Sequence, residues 1–131
     1  MSGKFTITNT TKSTEHQNWR SVPFDRIKNV CLGKNYNLSL VFIAEKRSRV
    51  LNKSYRGKNK PTNILSFPLD KNNGEIFITL SVVKKEAKKF VRKFDNFLAF
   101  LFIHGLMHLK GMKHGSTMDR AEKKLRKRFG I

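Results

Sequence analysis

Cysteine and proline are scarce in this sequence. One cysteine, Cys31, and three prolines occur in 131 residues. A single thiol excludes an intramolecular disulfide and is typical of proteins in a reducing compartment. The sequence also lacks internal repeats and linkers rich in proline, glycine or serine. We therefore expect residues 1–131 to form a single domain.

Long hydrophobic runs are missing as well. The longest apolar segment, Phe97 to Ile103, is too short to cross a bilayer. The N-terminal segment KFTITNTTKS is polar and strand-like, unlike the apolar stretch of a signal peptide. These absences predict a soluble, cytoplasmic protein that makes no membrane contact.

Acidic residues are too few to balance the basic ones. The chain carries 28 Lys and Arg against 9 Asp and Glu, a formal net charge of +19. This charge attracts polyanions, and RNA or DNA phosphate is the usual one in the cytosol. A solvated lysine-rich surface without a partner is the alternative. Hydrophobic residues make up 38% of the chain, which argues against disorder. We predict a folded protein that contacts nucleic acid.

The apolar pattern predicts strands mainly early in the chain and helices late in it. Strands are predicted at residues 5–8, 38–43, 63–67 and 75–79, with Asn73-Gly74 as the hairpin turn. Helices are predicted at residues 23–32, 44–55, 82–94, 95–110 and 116–128, with Ser81, Asp95 or Asn96, and Ser116 as N-caps. This order favours an α+β fold in which a small, mostly parallel or mixed four-stranded sheet packs with about five helices.

Two of the predicted helices carry a basic face. Six cations within residues 82–94 recur on one side: Lys84, Lys85, Lys88, Lys89, Arg92 and Lys93. The opposite side is apolar: Val83, Ala87, Phe90, Val91 and Phe94. The last helix adds Arg120, Lys123, Lys124, Arg126, Lys127 and Arg128. Two such faces predict a surface that follows a phosphate backbone, with binding that weakens as salt rises.

Three of the four histidines fall in one segment, HGLMHLKGMKH, at His104, His108 and His114. The first two are four residues apart on a predicted helix, so their side chains share a face. Gly111 ends the helix and lets the chain return, so His114 can bind the same ion. Three protein ligands leave a position open, which is typical of catalytic sites. Zinc is the preferred ion, although nickel, copper or iron also suit imidazoles. For any one of these histidines, a role in the core is the alternative.

The residue after the first histidine argues against a third alternative, a metallohydrolase for a peptide or small substrate. A zinc protease carries a glutamate there as general base. Here the position is Gly105, which has no side chain to accept a proton. A hydrolase for a peptide or small substrate would also have no need of a charge of +19. We therefore expect a reaction other than peptide hydrolysis.

Three segments, in this order, resemble the YbeY endoribonucleases, which are bacterial rRNA-maturation factors. Residues 51–68 contain LN and then YRGKNKPTNILSFP, similar to the family's LN..YRGKDKPTDVLSFP. Gly74-Glu75-Ile76 resembles its GDI strand, and HGLMHLKGMKH resembles HGxLHLxGYDH. The resemblance covers about Leu51 to His114, and the first fifty residues show no motif of the family.

The resemblance implies an α+β fold with a zinc site in a cleft, on a C-terminal helix and the loop after it. His104, His108 and His114 would bind one Zn²⁺ per chain, and Arg56 would be the catalytic arginine that engages phosphate. The implied activity is cleavage of single-stranded RNA in 16S rRNA 3′-end maturation and ribosome quality control, with small-subunit components as partners. The alternative is a non-catalytic ribosome-assembly factor whose metal stabilises the fold.

Three positions depart from the family pattern. Met112-Lys113 replaces Tyr-Asp before the last histidine, Glu75 replaces an aspartate, and Asn63 stands where many relatives have aspartate. An acid beside a ligand can orient it, whereas a lysine adds positive charge. The ligand set is intact, so we expect metal binding, and the departures bear on activity.

Overall fold

A computed structural model describes residues 3–12 and 17–131 of the chain. Its sheet consists of four strands: β1 (Phe5–Asn9), β2 (Asn37–Phe42), β3 (Ile64–Asp70) and β4 (Asn73–Ile78). They lie in the order β1-β2-β4-β3. β1 pairs with β2 and β2 with β4 in parallel, whereas β3 runs antiparallel to β4. The predicted small sheet, mixed and mostly parallel, is confirmed.

Five α-helices occur in the described part of the chain: α1 (Phe24–Leu32), α2 (Glu45–Arg56), α3 (Leu80–Lys89), α4 (Phe94–Leu109) and α5 (Ser116–Arg128). A short 3-10 helix, Gln17–Ser21, precedes α1. Among the residues described, no helix is both long and apolar enough to cross a membrane. The predicted α+β fold class is confirmed.

Helix α4 is apolar on nearly every side because other elements surround it. Its buried residues include Phe97, Phe102 and Leu106. They belong to one core with alternate strand residues such as Leu40 and Ile76, and α4 also contacts α1, α3 and α5. A helix buried all round needs such a continuous apolar sequence. α4 therefore lies against β3, at the edge of the sheet, and this fixes where its polar residues emerge.

Helix α2 contributes to a second, smaller cluster on the opposite face of the sheet. Leu65 and Phe77 are buried there and pack with Leu51 of α2. Ile64, the neighbour of Leu65, belongs to the larger core instead. Successive strand residues point to opposite faces, so β3 contributes to both clusters. The end of α2 is thereby held beside β3.

The predicted hairpin turn is wrong by two residues. The turn is Lys71-Asn72, and Asn73-Gly74 begins β4. The Asp70 carboxylate accepts hydrogen bonds from the Asn72 N–H and the Asn73 side chain, both at 2.8 Å. Aspartate closes turns in this way through its own side chain, which places the turn earlier. β3 also continues beyond Pro68, where it was predicted to end, because an edge strand tolerates proline.

The single helix predicted over residues 82–94 is also wrong. Residues 90–93 connect α3 to α4, and Val91 has a φ of 54°. A β-branched residue at positive φ cannot continue an α-helix. Arg92 and Lys93 therefore leave the predicted basic face. Phe90 and Val91, predicted on the apolar side, are 57% and 92% exposed.

The residues predicted as N-caps lie within the helices instead of before them. Thr79, Lys93 and Gly115 precede α3, α4 and α5, in place of Ser81, Asp95 or Asn96, and Ser116. Ser81 lies inside α3, where its hydroxyl donates to the Glu45 carboxylate at 2.8 Å. That contact joins α3 to α2, so this polar side chain serves packing between elements instead of capping its own helix.

Candidate metal centre

The three clustered histidines lie together in space. His104 and His108 occupy successive turns of α4, and His114 lies in the segment before α5. Their ring centroids are 4.6 to 5.2 Å apart. One nitrogen from each ring lies within 4.8 Å of the other two. The fourth histidine, His16, is outside the described residues. The structure thus brings together all three residues that the spacing predicted.

A left-handed glycine returns the chain to α4. Gly111 has a φ of 88°, and its N–H donates to the His108 carbonyl at 3.0 Å. The Met112 N–H then donates to the Met107 carbonyl at 3.1 Å, and the Met112 side chain packs against the core. Such an ending satisfies the last helix carbonyls and reverses the chain. His114 is carried back beside α4 as a result.

Two of the imidazole nitrogens have nearly the spacing of ligands on a single tetrahedral ion. Bonds of about 2.0–2.1 Å place two ligand nitrogens about 3.3 Å apart. The Nε2 atoms of His104 and His108 are 3.0 Å apart, close to that spacing. His114 approaches from the solvent side, since it is exposed while the other two are half-buried. The three imidazoles could therefore hold one metal ion.

Glu122 of α5 is a site residue that the sequence analysis missed. Its carboxylate accepts a hydrogen bond from Nδ1 of His104, and it is 8% exposed. A proton held at Nδ1 leaves Nε2 of His104 free to bind a metal, the usual role of a carboxylate behind a histidine ligand. One sequence signal was available, because Glu122 falls on the buried side of α5 with Met118 and Leu125.

The pKa of His108 is lowered. Burial is the largest cause, because it disfavours the charged imidazolium, followed by the charges of His104 and His114. Arg56 lowers this pKa further, whereas Glu122 raises it. Only the neutral imidazole binds a metal, so the lowered pKa keeps His108 available at neutral pH.

The histidines line a cleft of about 860 Å³. Arg56 and Lys58 reach it from the end of α2 and the turn that follows, and both are exposed. Phe100 of α4 lines it as well. Hereafter this space is the metal cleft. The structure thus places the predicted catalytic Arg56 in the same cleft as the three histidines.

Buried polar residues of α2 anchor the loop that carries this wall of the cleft. The Asn52 side chain donates to the Lys60 carbonyl at 2.9 Å, and the Ser48 hydroxyl accepts from the Thr62 N–H at 2.9 Å. Both side chains are almost completely buried. Buried hydrogen bonds of this kind hold an irregular segment in one conformation. These hydrogen bonds therefore fix the conformation of the polar segment that follows Arg56.

Gly105 permits α4 to approach β3 closely. A Cβ at this position would lie 2.7 Å from Cδ1 of Ile64 and 2.8 Å from Oγ of Ser66. Those distances are shorter than van der Waals contact, so any side chain here would require the Ile64 and Ser66 side chains to move, or α4 and β3 to separate. Packing of α4 against β3 therefore accounts for the absence of the glutamate that a zinc protease carries at this position.

We expect Gly105→Ala to destabilise the fold by about 1–3 kcal/mol, through overpacking against β3. Without that clash, the same change inside a helix would stabilise it by about 0.5–1 kcal/mol, because glycine is a poor helix former. The sign of the change in the free energy of unfolding, from urea titration, decides between these outcomes. A stabilised variant would contradict the close approach of α4 to β3.

The three departures from the family pattern lie in different surroundings. Lys113 is exposed, and Glu75 lines a shallow depression with Ser39 and Leu69 instead of the metal cleft. Asn63 lines the metal cleft and donates its side-chain N–H to Glu86 at 2.8 Å. An aspartate there could not donate, and its charge would face that of the glutamate. Asn63 can therefore donate a hydrogen bond to Glu86, which an aspartate could not.

Curated proteins of one name match most of the chain. An Endoribonuclease YbeY of Neorickettsia sennetsu is 34% identical over 113 residues, covering 77% of this chain and 79% of that protein. One of Chelativorans sp. is 35% identical over 95 residues, covering 66% of this chain and 58% of that protein. The chain thus spans less than two thirds of the length of some of these relatives.

The fold and the family profile extend the match to the ends of the chain. The solution structure of TM1509 from Thermotoga maritima is similar, with a TM-score of 0.62 and 25% identity, over 92% of this chain and 85% of that one. The family described as Endoribonuclease YbeY matches residues 5–129, which include the strands and helices before the first recognised motif. This confirms the resemblance, and the chain belongs to the YbeY family of endoribonucleases.

Proposed function

We propose that this chain is a zinc-dependent endoribonuclease that cleaves single-stranded RNA. The observation that carries the proposal is a cleft lined by three neighbouring imidazoles and an exposed arginine. A net charge of +19 and relatives named Endoribonuclease YbeY point to RNA as the substrate. In this proposal residues 1–131 act as one catalytic domain.

His104, His108 and His114 are the proposed ligands of one zinc ion. Imidazole nitrogens suit zinc, and other divalent transition metals bind the same donors. When bound, the ion supplies Lewis-acid polarisation of a phosphate and lowers the pKa of water. Glu122 orients His104 by holding the proton at its Nδ1.

Arg56 is the proposed catalytic residue that binds the scissile phosphate. A planar guanidinium donates to two phosphate oxygens at once and stabilises the negative charge that develops there. Arg56 and His108 line the same cleft, which supports a role for both at one phosphate. Lys58 adds a second positive charge in the same cleft.

Single-stranded RNA suits an open cleft better than a duplex does. Unpaired nucleotides can bend into a cleft and expose each phosphate, whereas an A-form helix is rigid and keeps its bases paired and stacked. Together with the family resemblance, this supports the 16S rRNA precursor as substrate and small-subunit components as partners. Ribosomes mature in the cytoplasm, which is therefore the proposed location.

Replacing Glu122 tests the proposed role of the histidine cluster without an activity assay. We expect Glu122→Ala to weaken zinc binding about 10- to 100-fold, because His104 loses the partner that fixes its orientation. Glu122→Gln keeps an oxygen that accepts from Nδ1, and should retain most of the affinity. Titration against a competing chelator measures the dissociation constant.

The matched control is Glu86→Ala. Glu86 accepts a hydrogen bond from Asn63, which lines the cleft, and forms no hydrogen bond or ion pair with the histidines of the described residues. We expect its removal to leave zinc affinity unchanged. Equal affinities of Glu122→Ala and the unsubstituted chain would contradict the orienting role.

The function itself is tested by incubating the purified chain with a single-stranded RNA and its matched duplex. We expect cleavage of the single strand alone, lost in Arg56→Ala while RNA binding persists. Binding without cleavage by the unsubstituted chain would favour the non-catalytic assembly factor. Equal cleavage by the variant and the unsubstituted chain would point to a contaminating nuclease and refute the assignment.

A further inference from the structure

Two guanidinium groups lie over one ring at the edge of the metal cleft. The Cζ atoms of Arg92 and Arg126 are 4.7 and 4.8 Å from the ring centroid of Phe100, which lines the cleft. Arg92 donates to Asn96 at 2.7 Å, and the buried Nε of Arg126 has no hydrogen-bond partner. Aromatic stacking of this kind holds a guanidinium in place while its N–H groups stay available.

Neither arginine forms an ion pair with an acidic residue in the part of the chain that the structure describes. Within the described ranges, the ion pairs join Lys85 to Glu45 and His104 to Glu122. Arg92 and Arg126 come from different elements, the α3–α4 connection and α5, yet converge on the same ring. Two guanidinium groups that converge on one ring without an acidic partner can bind an anion with several oxygens, such as phosphate.

A row of aromatic rings leads from this pair to the surface. Phe100 stacks on Phe97 with centroids 6.0 Å apart, and Phe97 contacts Phe90 at 5.6 Å. Phe97 is buried, whereas Phe90 is 57% exposed. Val91 beside it is 92% exposed at a strained φ of 54°. Large exposed apolar residues held in a strained connection are unusual, and they mark a contact surface.

The charge around Phe90 identifies the partner. Exposed cations surround it in the sequence: Lys84, Lys88, Lys89 and Lys93. Proteins bind single-stranded nucleic acid by combining such cations with an exposed ring on which a base stacks. From His104 to Phe97 the distance along α4 is about 10 Å, and Phe90 lies one ring contact further out. A strand held at the histidines can therefore reach it within a few nucleotides.

We propose that Phe90, Arg92 and Arg126 form a second RNA subsite, outside the metal cleft, for the same single strand. Arg92 and Arg126 bind its phosphates over Phe100, and a base stacks on Phe90. The inference deepens the proposed function and rests on it. It assigns a role to the break in the predicted helix, which moves Arg92 off the face of α3 and onto the cleft edge.

Binding of two RNA lengths tests the subsite. In a His114→Ala chain, in which we expect cleavage to be lost, fluorescence anisotropy compares labelled oligouridines of about four and about twelve nucleotides, lengths that span known single-strand site sizes. The longer strand should bind more tightly because it reaches Phe90. Phe90→Ala should weaken the longer strand about 5-fold or more and leave the shorter one unchanged, whereas Phe90→Tyr should bind as tightly as the parent.

Matched controls separate the subsite from general charge and exposure. Leu69→Ala removes an apolar side chain of similar exposure, 60%, outside the row of rings. The double variant Arg92→Gln/Arg126→Gln removes both guanidinium charges. Its control, Lys4→Gln/Lys12→Gln, removes two positive charges beside β1, at the other edge of the sheet. We expect the arginine pair to reduce binding of the longer strand more than the lysine pair. Thermal unfolding verifies that each variant is folded.

Two results would overturn the inference: equal losses in test and control variants, or a loss that is the same for both RNA lengths. Either result can occur while the unsubstituted chain still cleaves RNA. It would then refute the subsite and leave the proposed function standing. Absence of cleavage with length-dependent binding intact would refute the proposed function instead.

Discussion

Replacing His114 with alanine is expected to abolish tight zinc binding and to slow RNA cleavage about 1,000-fold or more, equivalent to about 4 kcal/mol of transition-state stabilisation. Two imidazoles on α4 alone cannot complete the three-ligand set of a catalytic zinc site. His114 is exposed, so its truncation leaves the core intact. Metal analysis of the purified variant and its rate on single-stranded RNA provide the two measurements.

Lys113→Ala is the neighbouring control for this experiment. Lys113 is exposed and precedes the proposed ligand directly, so the change perturbs the same segment without removing a nitrogen donor. We expect full zinc content and a cleavage rate within about 2-fold of the parent, as for most exposed positions. Comparable loss of zinc in the two variants would show that the segment, and not the His114 imidazole, is required.

Replacing Arg56 with alanine is expected to reduce cleavage about 100- to 1,000-fold, the usual cost of removing one preorganised donor from a transition state. Zinc content should be unchanged, because Arg56 contributes no nitrogen to the ion. Arg56→Lys should recover only part of the rate, since an ammonium group cannot bind two oxygens in a planar fork. Single-turnover rates at saturating RNA separate this loss from weaker binding.

Lys53→Ala is the matched control for Arg56. It removes one positive charge from the same helix, less than one turn earlier, and Lys53 does not line the metal cleft. A general electrostatic role would make the two variants alike, with equal shifts in RNA affinity. A specific role for Arg56 predicts a large loss of cleavage rate in Arg56→Ala and none in Lys53→Ala. Equal rates for both would contradict it.

The sequence was informative where local spacing decides the geometry. The H-x3-H spacing places two imidazoles on one side of α4, and Gly111 adopts the left-handed conformation that returns His114 to them. Both features depend on a few neighbouring residues and on helix geometry alone. The mixed sheet and the five helices followed from apolar patterns over similarly short windows.

Features that depend on contacts between distant elements could not be read from the sequence. Glu122 meets His104 only because α5 packs beside α4. The break at Val91 has no glycine or proline to announce it, and it lies in the connection between two helices that pack against each other, α3 and α4. The hairpin turn was misplaced because the Asp70 side chain outweighs the preference of Asn-Gly for turns.

Gly105 has both a chemical and a packing consequence. In the sequence it is a missing general base, and in the structure it is the point where α4 touches β3. The same contact holds His104 and His108 at the cleft, since both lie within one turn of Gly105 on α4. Packing and chemistry therefore constrain this position together.

The central claim is that one metal ion, held by three histidines, is required for RNA cleavage. The most direct measurement strips the purified chain with a chelator, adds zinc back in steps, and follows cleavage of single-stranded RNA at each step. We predict no cleavage by the stripped chain and full recovery at one zinc ion per chain, with no recovery in His114→Ala. Undiminished cleavage by the stripped chain would contradict the account.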